Sequence, residues 1–286
     1  MTTLRCLSGL KDIADNYDAF LFDLWGVVHN GVKPFPGALD TLAALTEMGK
    51  SAILLSNAPR LGVDVDGRLA QMGVPREHYQ RVVASGDLAR KALAEQPETF
   101  GSTYAFWGKN PDRSVIADLP YTETGDLAAA DFLLGCGYND DQTETLADYQ
   151  DRLQTMLDND VLMVCVNPDY EVLSGDRRLP CAGSLTLRYD EMGGRSIWYG
   201  KPFPVAYSYC MAEFGDVAPD RVLMIGDTIR TDIIGARDSG LDSVLVASGL
   251  HGRDFIVDGE LKGDRVSEAC AAANVSPVGY MAELAW

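Results

Sequence analysis

The chain has 286 residues, 47% of them hydrophobic and 23% charged, with 28 glycines and 13 prolines, a globular composition that excludes a coiled coil, a collagen-like repeat and a disordered tail. Its 24 Lys and Arg against 42 Asp and Glu give a formal net charge of −18, which opposes phosphate backbones and anionic lipid, so neither nucleic acid nor membrane is expected as a partner. The length fits two domains or one large one.

Taken in chain order, the apolar run Ala19 to Phe22 stops at Asp23 and reads as a buried parallel strand. Leu39, Leu42, Leu45 and Met48 recur every third residue on one helical face, with Gly49 placed to end that helix. A second strand, Ala52 to Leu55, stops at Ser56-Asn57. From roughly Gly101 to Arg195 the chain carries its own strands (Ser102 to Trp107, Phe132 to Gly135, Val161 to Val166) and its own helix (Asp141 to Leu157). This predicts a second domain, residues 99–196, inserted between residues 1–98 and 197–286 of the first. The two crossings, near Glu98 and Gly193-Gly194, suit a hinged lid over a crevice. Val222 to Ile225 then stops at Gly226-Asp227, and Val244 to Ala247 at Ser248-Gly249. Strands alternating with helices predict a doubly wound α/β sheet. Ligands of such sheets bind beyond the carboxyl ends of the strands, so Asp23, Ser56 and Asp227 are expected to converge.

The six cysteines include no Cys-x-x-Cys pair, which predicts reduced thiols and a cytoplasmic protein. The first 25 residues carry acids throughout, and no stretch approaches 18 apolar residues, so neither a secretory leader nor a membrane span is expected.

Asp23 leaves its strand just ahead of Gly26, where a carboxylate fits a nucleophile, although an Asp that merely ends a strand or caps a helix fits too. Gly226-Asp227-Thr228-Ile229-Arg230-Thr231-Asp232 puts two acids five residues apart after a strand, which suits one direct and one water-mediated contact to Mg²⁺. A surface turn with a helix cap is the alternative there. Three gathered carboxylates raise one another's pKa unless a cation compensates them, so a metal or a lysine is required. Lys201, barred from a helix by Pro202, is the natural compensating charge and can hold a phosphate oxygen. Ser56-Asn57 can offer a hydroxyl and backbone N–H groups to the same phosphate, or simply cap a helix.

The order strand-Asp23, strand-Ser56, Lys201-Pro202, strand-Gly226-Asp227-x-x-x-Thr231-Asp232 resembles the four motifs of the haloacid dehalogenase superfamily. Asp23-Leu-Trp-Gly-Val with Gly31 and Pro36-Gly37-Ala38, the insertion itself, Asn167-Pro168-Asp169 within it and Ala182-Gly183-Ser184-Leu185 after that resemble the NagD-like, type IIA branch. The resemblance implies a Rossmann-like parallel-sheet core with an α/β cap of the C2 type, and Mg²⁺-dependent hydrolysis of a small phosphorylated metabolite through an aspartyl phosphate. It implies Asp23 as nucleophile and metal ligand, Ser56 and Asn57 as phosphate-binding, and Lys201 steadying nucleophile and phosphate. Asp227 would ligate the metal, as would the backbone carbonyl of residue 25, with Asp232 acting from behind them. Related caps often mediate homodimers.

One position departs from the family pattern. Where the phosphatases carry a second Asp that protonates the leaving oxygen and then activates water, this chain has Trp25, whose indole N–H is a donor only. Positioned acid-base help is worth about 10² to 10⁴ in rate. Three accounts stay open: a leaving group that needs no proton, a proton from His29, or dehalogenase-like attack of Asp23 on carbon. A phosphate-binding module without turnover is the competing class. In the insertion, Asn167 and Asp169 either face the core or form a local Asn-Pro-Asp turn, the turn being preferred. Tyr104, Phe106 and Trp107 read as packing residues of the insertion rather than a stacking platform.

Overall fold

The run Ala19–Asp23 forms a strand with all five residues buried, and its apolar content is explained by a neighbour on each side. Ser51–Ser56 pairs with it on one edge and Val222–Gly226 on the other, both parallel. A computed structural model of the chain describes residues 4–174, 177–249 and 252–286. The sheet is completed by Arg81–Ala84 beyond Ser51–Ser56, and by Asp242–Val246 and then Gly279–Met281 beyond Val222–Gly226. Numbered along the chain, the six parallel strands lie in the order 3-2-1-4-5-6, the Rossmann arrangement, whose direction of winding reverses between Ala19–Asp23 and Val222–Gly226.

Successive side chains of these strands alternate between two apolar layers. Phe20, Phe22, Leu54, Leu223 and Ile225 pack with Ala38, Leu42 and Leu45 of the helix Pro36–Glu47 on one face. Leu21, Ile53, Leu55, Val83 and Met224 pack on the other with Leu88 and Leu93 of Ser85–Glu95 and with Ala206, Tyr207 and Cys210 of Pro204–Phe214. Burial of each large apolar side chain is worth about 1.5–3 kcal/mol, so the central strands are the anchored part of the molecule.

Between the third and fourth strands of this sheet the chain builds a second parallel sheet, in the order Ser196–Trp198, Leu162–Cys165, Phe132–Gly135, Thr103–Trp107, Thr122–Glu123. It runs to Trp198, past the expected edge at residue 196. Tyr104 and Trp107 are buried in it as expected, Trp107 edge-on to Tyr149 at 4.9 Å, while Phe106 is half-buried with the Arg113 guanidinium 4.1 Å above its ring. An antiparallel hairpin, Glu171–Ser174 with Arg177–Pro180, stands beside it.

The helix expected from Asp141 begins later. Gln150–Asp158 is α-helical, preceded by a single 3₁₀ turn, Leu146–Tyr149. The Asp140 carboxylate accepts from the Gln142 N–H and the Thr143 hydroxyl, and Asp148 accepts from the Thr145 N–H. These local acceptors compete with the helical ladder and hold residues 140–145 as a turn. The strand expected at Val244 to Ala247 is Asp242–Val246, its start tied down where the Tyr17 hydroxyl donates to Asp242 at 2.7 Å. Among the described residues no helix is long and apolar enough to cross a membrane, and the six cysteines are free thiols.

Candidate active site

The two strands at the reversal point each deliver an acid. Asp23 is the last residue of its strand, and Asp227 follows the last residue of the neighbouring one, so parallel pairing alone brings them side by side. The third carboxylate arrives by a different route. Ile229–Ile233 forms one π-helical turn, a geometry frequent at functional sites, and it swings Asp232 back over the strand end. Gly226 permits this, because a Cβ there would lie 2.2 Å from the Asp232 Cβ. The Tyr207 hydroxyl holds the turn by donating to the carbonyls of Thr231 (2.9 Å) and Asp232 (3.2 Å).

Asp23, Asp227 and Asp232 are all buried, with one oxygen from each lying within 4.8 Å of the others. Lys201, also buried, sends its ammonium between two of them, donating to Asp23 Oδ1 and lying 2.7 Å from Asp232 Oδ1. Burial alone would push the Lys201 ammonium down, but Asp23 and then Asp232 outweigh it and hold it above its ordinary value, so it stays charged. Burial pushes the Asp23 carboxyl well above its ordinary range, Lys201 pulling the other way while Asp232 and Asp227 add to the rise. When all three carboxyls are ionised, they leave two negative charges beyond the one ammonium, the charge of one divalent cation. The donor set is all oxygen and the backbone closes tightly around it: a Cβ on Gly249 would fall 1.9 Å from Asp227 Oδ2, and one on Gly26 2.3 Å from the same atom. Such a set fits a hard cation.

Ser56 ends its strand buried beside this cluster. Its hydroxyl oxygen accepts from the Ala58 N–H at 3.2 Å, which leaves its own proton free to donate outward. Asn57, the next residue, is also buried. Its side chain is directed at protein rather than phosphate: Oδ1 accepts from the Lys201 N–H (2.7 Å), while Nδ2 donates to the Lys201 carbonyl (3.2 Å) and to Asp169 Oδ1 (2.9 Å). The preceding Gly200 has φ 120°, and a Cβ on it would sit 2.7 Å from Asn57 Oδ1. Asn57 thus fixes the backbone that carries the lysine and leaves only its own N–H for an anion.

Asn167 and Asp169 divide the two roles that the sequence left open. Asn167 makes the local turn, its Oδ1 accepting from the Asp169 N–H at 3.2 Å, and Asp169 reaches the core through Asn57. Arg230, a residue the sequence reading passed over, closes this contact by donating to the Pro168 carbonyl (2.7 Å), with its guanidinium 3.8 Å above the Tyr170 ring. A second bridge spans the two sheets where Arg60 Nε donates to the buried Asp112 at 2.7 Å. Replacing Asp169 by Ala removes an acceptor from a buried amide, so Asp169→Ala is expected to cost about 1–2 kcal/mol in urea unfolding, with Asp169→Asn milder because it keeps an acceptor.

Trp25 is half-buried at the wall of the same cleft, its ring 5.4 Å from that of His29 and edge-on to it. Gly31 lies directly under the indole, where a Cβ would be 2.3 Å from Cη2. His29 Nδ1 accepts from the Gly31 N–H at 2.9 Å, and burial, with the Arg68 charge nearby, pushes the ring down to about 4. At neutral pH His29 is therefore a neutral ring packed on Trp25, which removes it as a proton donor.

Asp23, Trp25, His29, Ser56, Asn57, Asn167, Asp169, Lys201, Asp227 and Asp232 line one cleft of about 510 Å³, in the range of small-molecule sites. The structure brings together Asp23, Ser56, Lys201, Asp227 and Asp232, with Trp25 on the wall and Asn57 and Asp169 linked behind the lysine.

A family model described as haloacid dehalogenase-like hydrolase matches residues 20–122, and a second, HAD-hydrolase-like, matches residues 198–273. A crystal structure of a haloacid dehalogenase-like family hydrolase from Brucella suis 1330 is 32% identical, covering 97% of this chain and 99% of that one, with a TM-score of 0.84. Chronophin from Bos taurus is 28% identical over 256 residues, 85% of each chain. A glycerol phosphate phosphatase from Mycobacterium tuberculosis, solved with magnesium, is 26% identical with a TM-score of 0.65, covering 83% of this chain and 70% of that one.

Proposed function

The chain belongs to the haloacid dehalogenase-like hydrolase family, and on that premise we propose that it is a Mg²⁺-dependent phosphatase of a small phosphorylated metabolite. The observation that carries this reading is the buried meeting of Asp23, Lys201, Asp227 and Asp232 at the reversal point of the sheet, with the Ser56 hydroxyl beside them. Asp23 attacks phosphorus in line with the leaving oxygen and becomes an aspartyl phosphate, which water then hydrolyses. Lys201 keeps the carboxylate of Asp23 aligned and offers its charge to the phosphoryl oxygens, and Ser56 donates to one of them. Asp23, Asp227 and the backbone carbonyl of Trp25 would hold Mg²⁺, which when bound neutralises the phosphoryl charge. Asp232, engaged by Lys201 and by the Thr228 N–H at 3.0 Å, orients this set.

The related phosphatase solved with magnesium and the surplus of two negative charges support the metal. The same surplus weighs against displacement at carbon, which needs no metal. Hydrolysis of p-nitrophenyl phosphate with Mg²⁺, abolished by Asp23→Asn, tests the proposal. No turnover combined with Mg²⁺-dependent binding of phosphate would replace it by the binding module, and halide release from a 2-haloacid without metal by the dehalogenase.

Metal binding has its own expected signature. At free Mg²⁺ 100 times Kd the folded state gains about 2.7 kcal/mol, so Tm is expected to rise by several degrees over the EDTA-treated protein. Asp227→Asn is expected to lose that rise, read by calorimetry.

A further inference from the structure

The cleft contains what is needed to join phosphorus to Asp23, yet most of its remaining acidic groups are engaged elsewhere. Asp112 is paired with Arg60, Asp141 with Lys109 at 2.6 Å and Glu171 with Arg178. Asp169 accepts from Asn57, and Asp64 stands exposed in the first turn of its helix. His29 has its Nδ1 occupied by the Gly31 N–H, and Trp25 offers only an indole N–H, which donates a hydrogen bond without yielding its proton. On the core side the lining includes Trp25, Phe35, Val65, Leu69 and Met72, with Asp64 and Arg68 among them.

Resting on the phosphatase reading above, we propose that the substrates are phosphates carried on weakly basic oxygens, acyl or aryl phosphates with an apolar body, and that alkyl phosphates are turned over only slowly. A carboxylate or a phenolate leaves as an anion of conjugate pKa about 4 or 10, whereas an alkoxide resembles hydroxide, whose parent water has a pKa of about 15.7. In the first step an Asp23 oxygen bonds to phosphorus, the bond from phosphorus to the leaving oxygen breaks, and its electron pair departs on that oxygen with no proton moved. In the second, water attacks phosphorus, the bond to Asp23 breaks, and both hydrogens of the water leave on the phosphate. The second step also lacks a base, so the aspartyl phosphate accumulates.

The test uses the wild-type protein with Mg²⁺ and three probes: p-nitrophenyl phosphate, acetyl phosphate and glycerol phosphate. Rapid mixing is expected to release nitrophenolate in a burst approaching one per active site before a slower steady phase. Mass spectrometry of the quenched protein is expected to find a phosphoryl group on the peptide containing Asp23. Acetyl phosphate should match p-nitrophenyl phosphate, and kcat/KM for glycerol phosphate should fall at least 10²-fold below both. Turnover that depends on Asp23 but differs less than tenfold among the three probes would overturn this inference and leave the phosphatase standing. Absence of Asp23-dependent release from all three would overturn both.

Discussion

Replacement of Asp23 by Asn is expected to lower p-nitrophenyl phosphate hydrolysis on the order of 10⁴-fold or more while leaving the protein folded. The amide has no anionic oxygen to attack phosphorus, and loss of a nucleophile typically removes nearly all turnover. The fold should survive because the substitution relieves more than it breaks. Lys201 keeps its partner Asp232 at 2.7 Å, and the buried cluster drops from three carboxylates to two. In the absence of Mg²⁺ the Tm of the variant is therefore expected to equal or exceed that of the wild type. Residual activity above about one part in a hundred would place the nucleophile elsewhere.

The second large effect runs in the opposite direction. Trp25→Asp is expected to raise kcat/KM for alkyl phosphates by about 10² to 10⁴, because it restores a carboxyl able to protonate the leaving oxygen and then to accept a proton from water. The effect on p-nitrophenyl phosphate should be smaller, since that leaving group needs little help. The indole is half-buried against Gly31 and the neutral ring of His29. Unchanged or slower alkyl phosphate hydrolysis in a folded variant would show that the missing acid is not what limits the wild type.

The central strands were legible because their apolar runs are long enough to stand out and end at residues that break them. Asp23, Ser56 and Asp227 could be placed together from those endings alone. The strands at the rims were not: Arg81–Ala84 and Gly279–Met281 edge the large sheet with four and three residues, and Thr122–Glu123 has two exposed ones. Runs so short carry no periodicity to read. Within the site, Lys201 announced itself through Pro202, but Asn57 did not reveal that its side chain grips the lysine backbone, since that depends on a chain segment more than a hundred residues away. Arg230 lies in a variable place of a short motif, and only the folded chain sets it against Pro168 and Tyr170.

The indole of Trp25 seated on Gly31 ties two positions into one evolutionary unit. With φ 85° and an aromatic ring 2.3 Å from where a methyl would go, residue 31 has no freedom to vary while residue 25 is Trp. Asn, which tolerates this left-handed backbone better than other side chains, becomes acceptable there only after the ring has been shortened. The two changes are thus ordered, and a lineage leaving the aromatic form of this site must change position 25 before position 31.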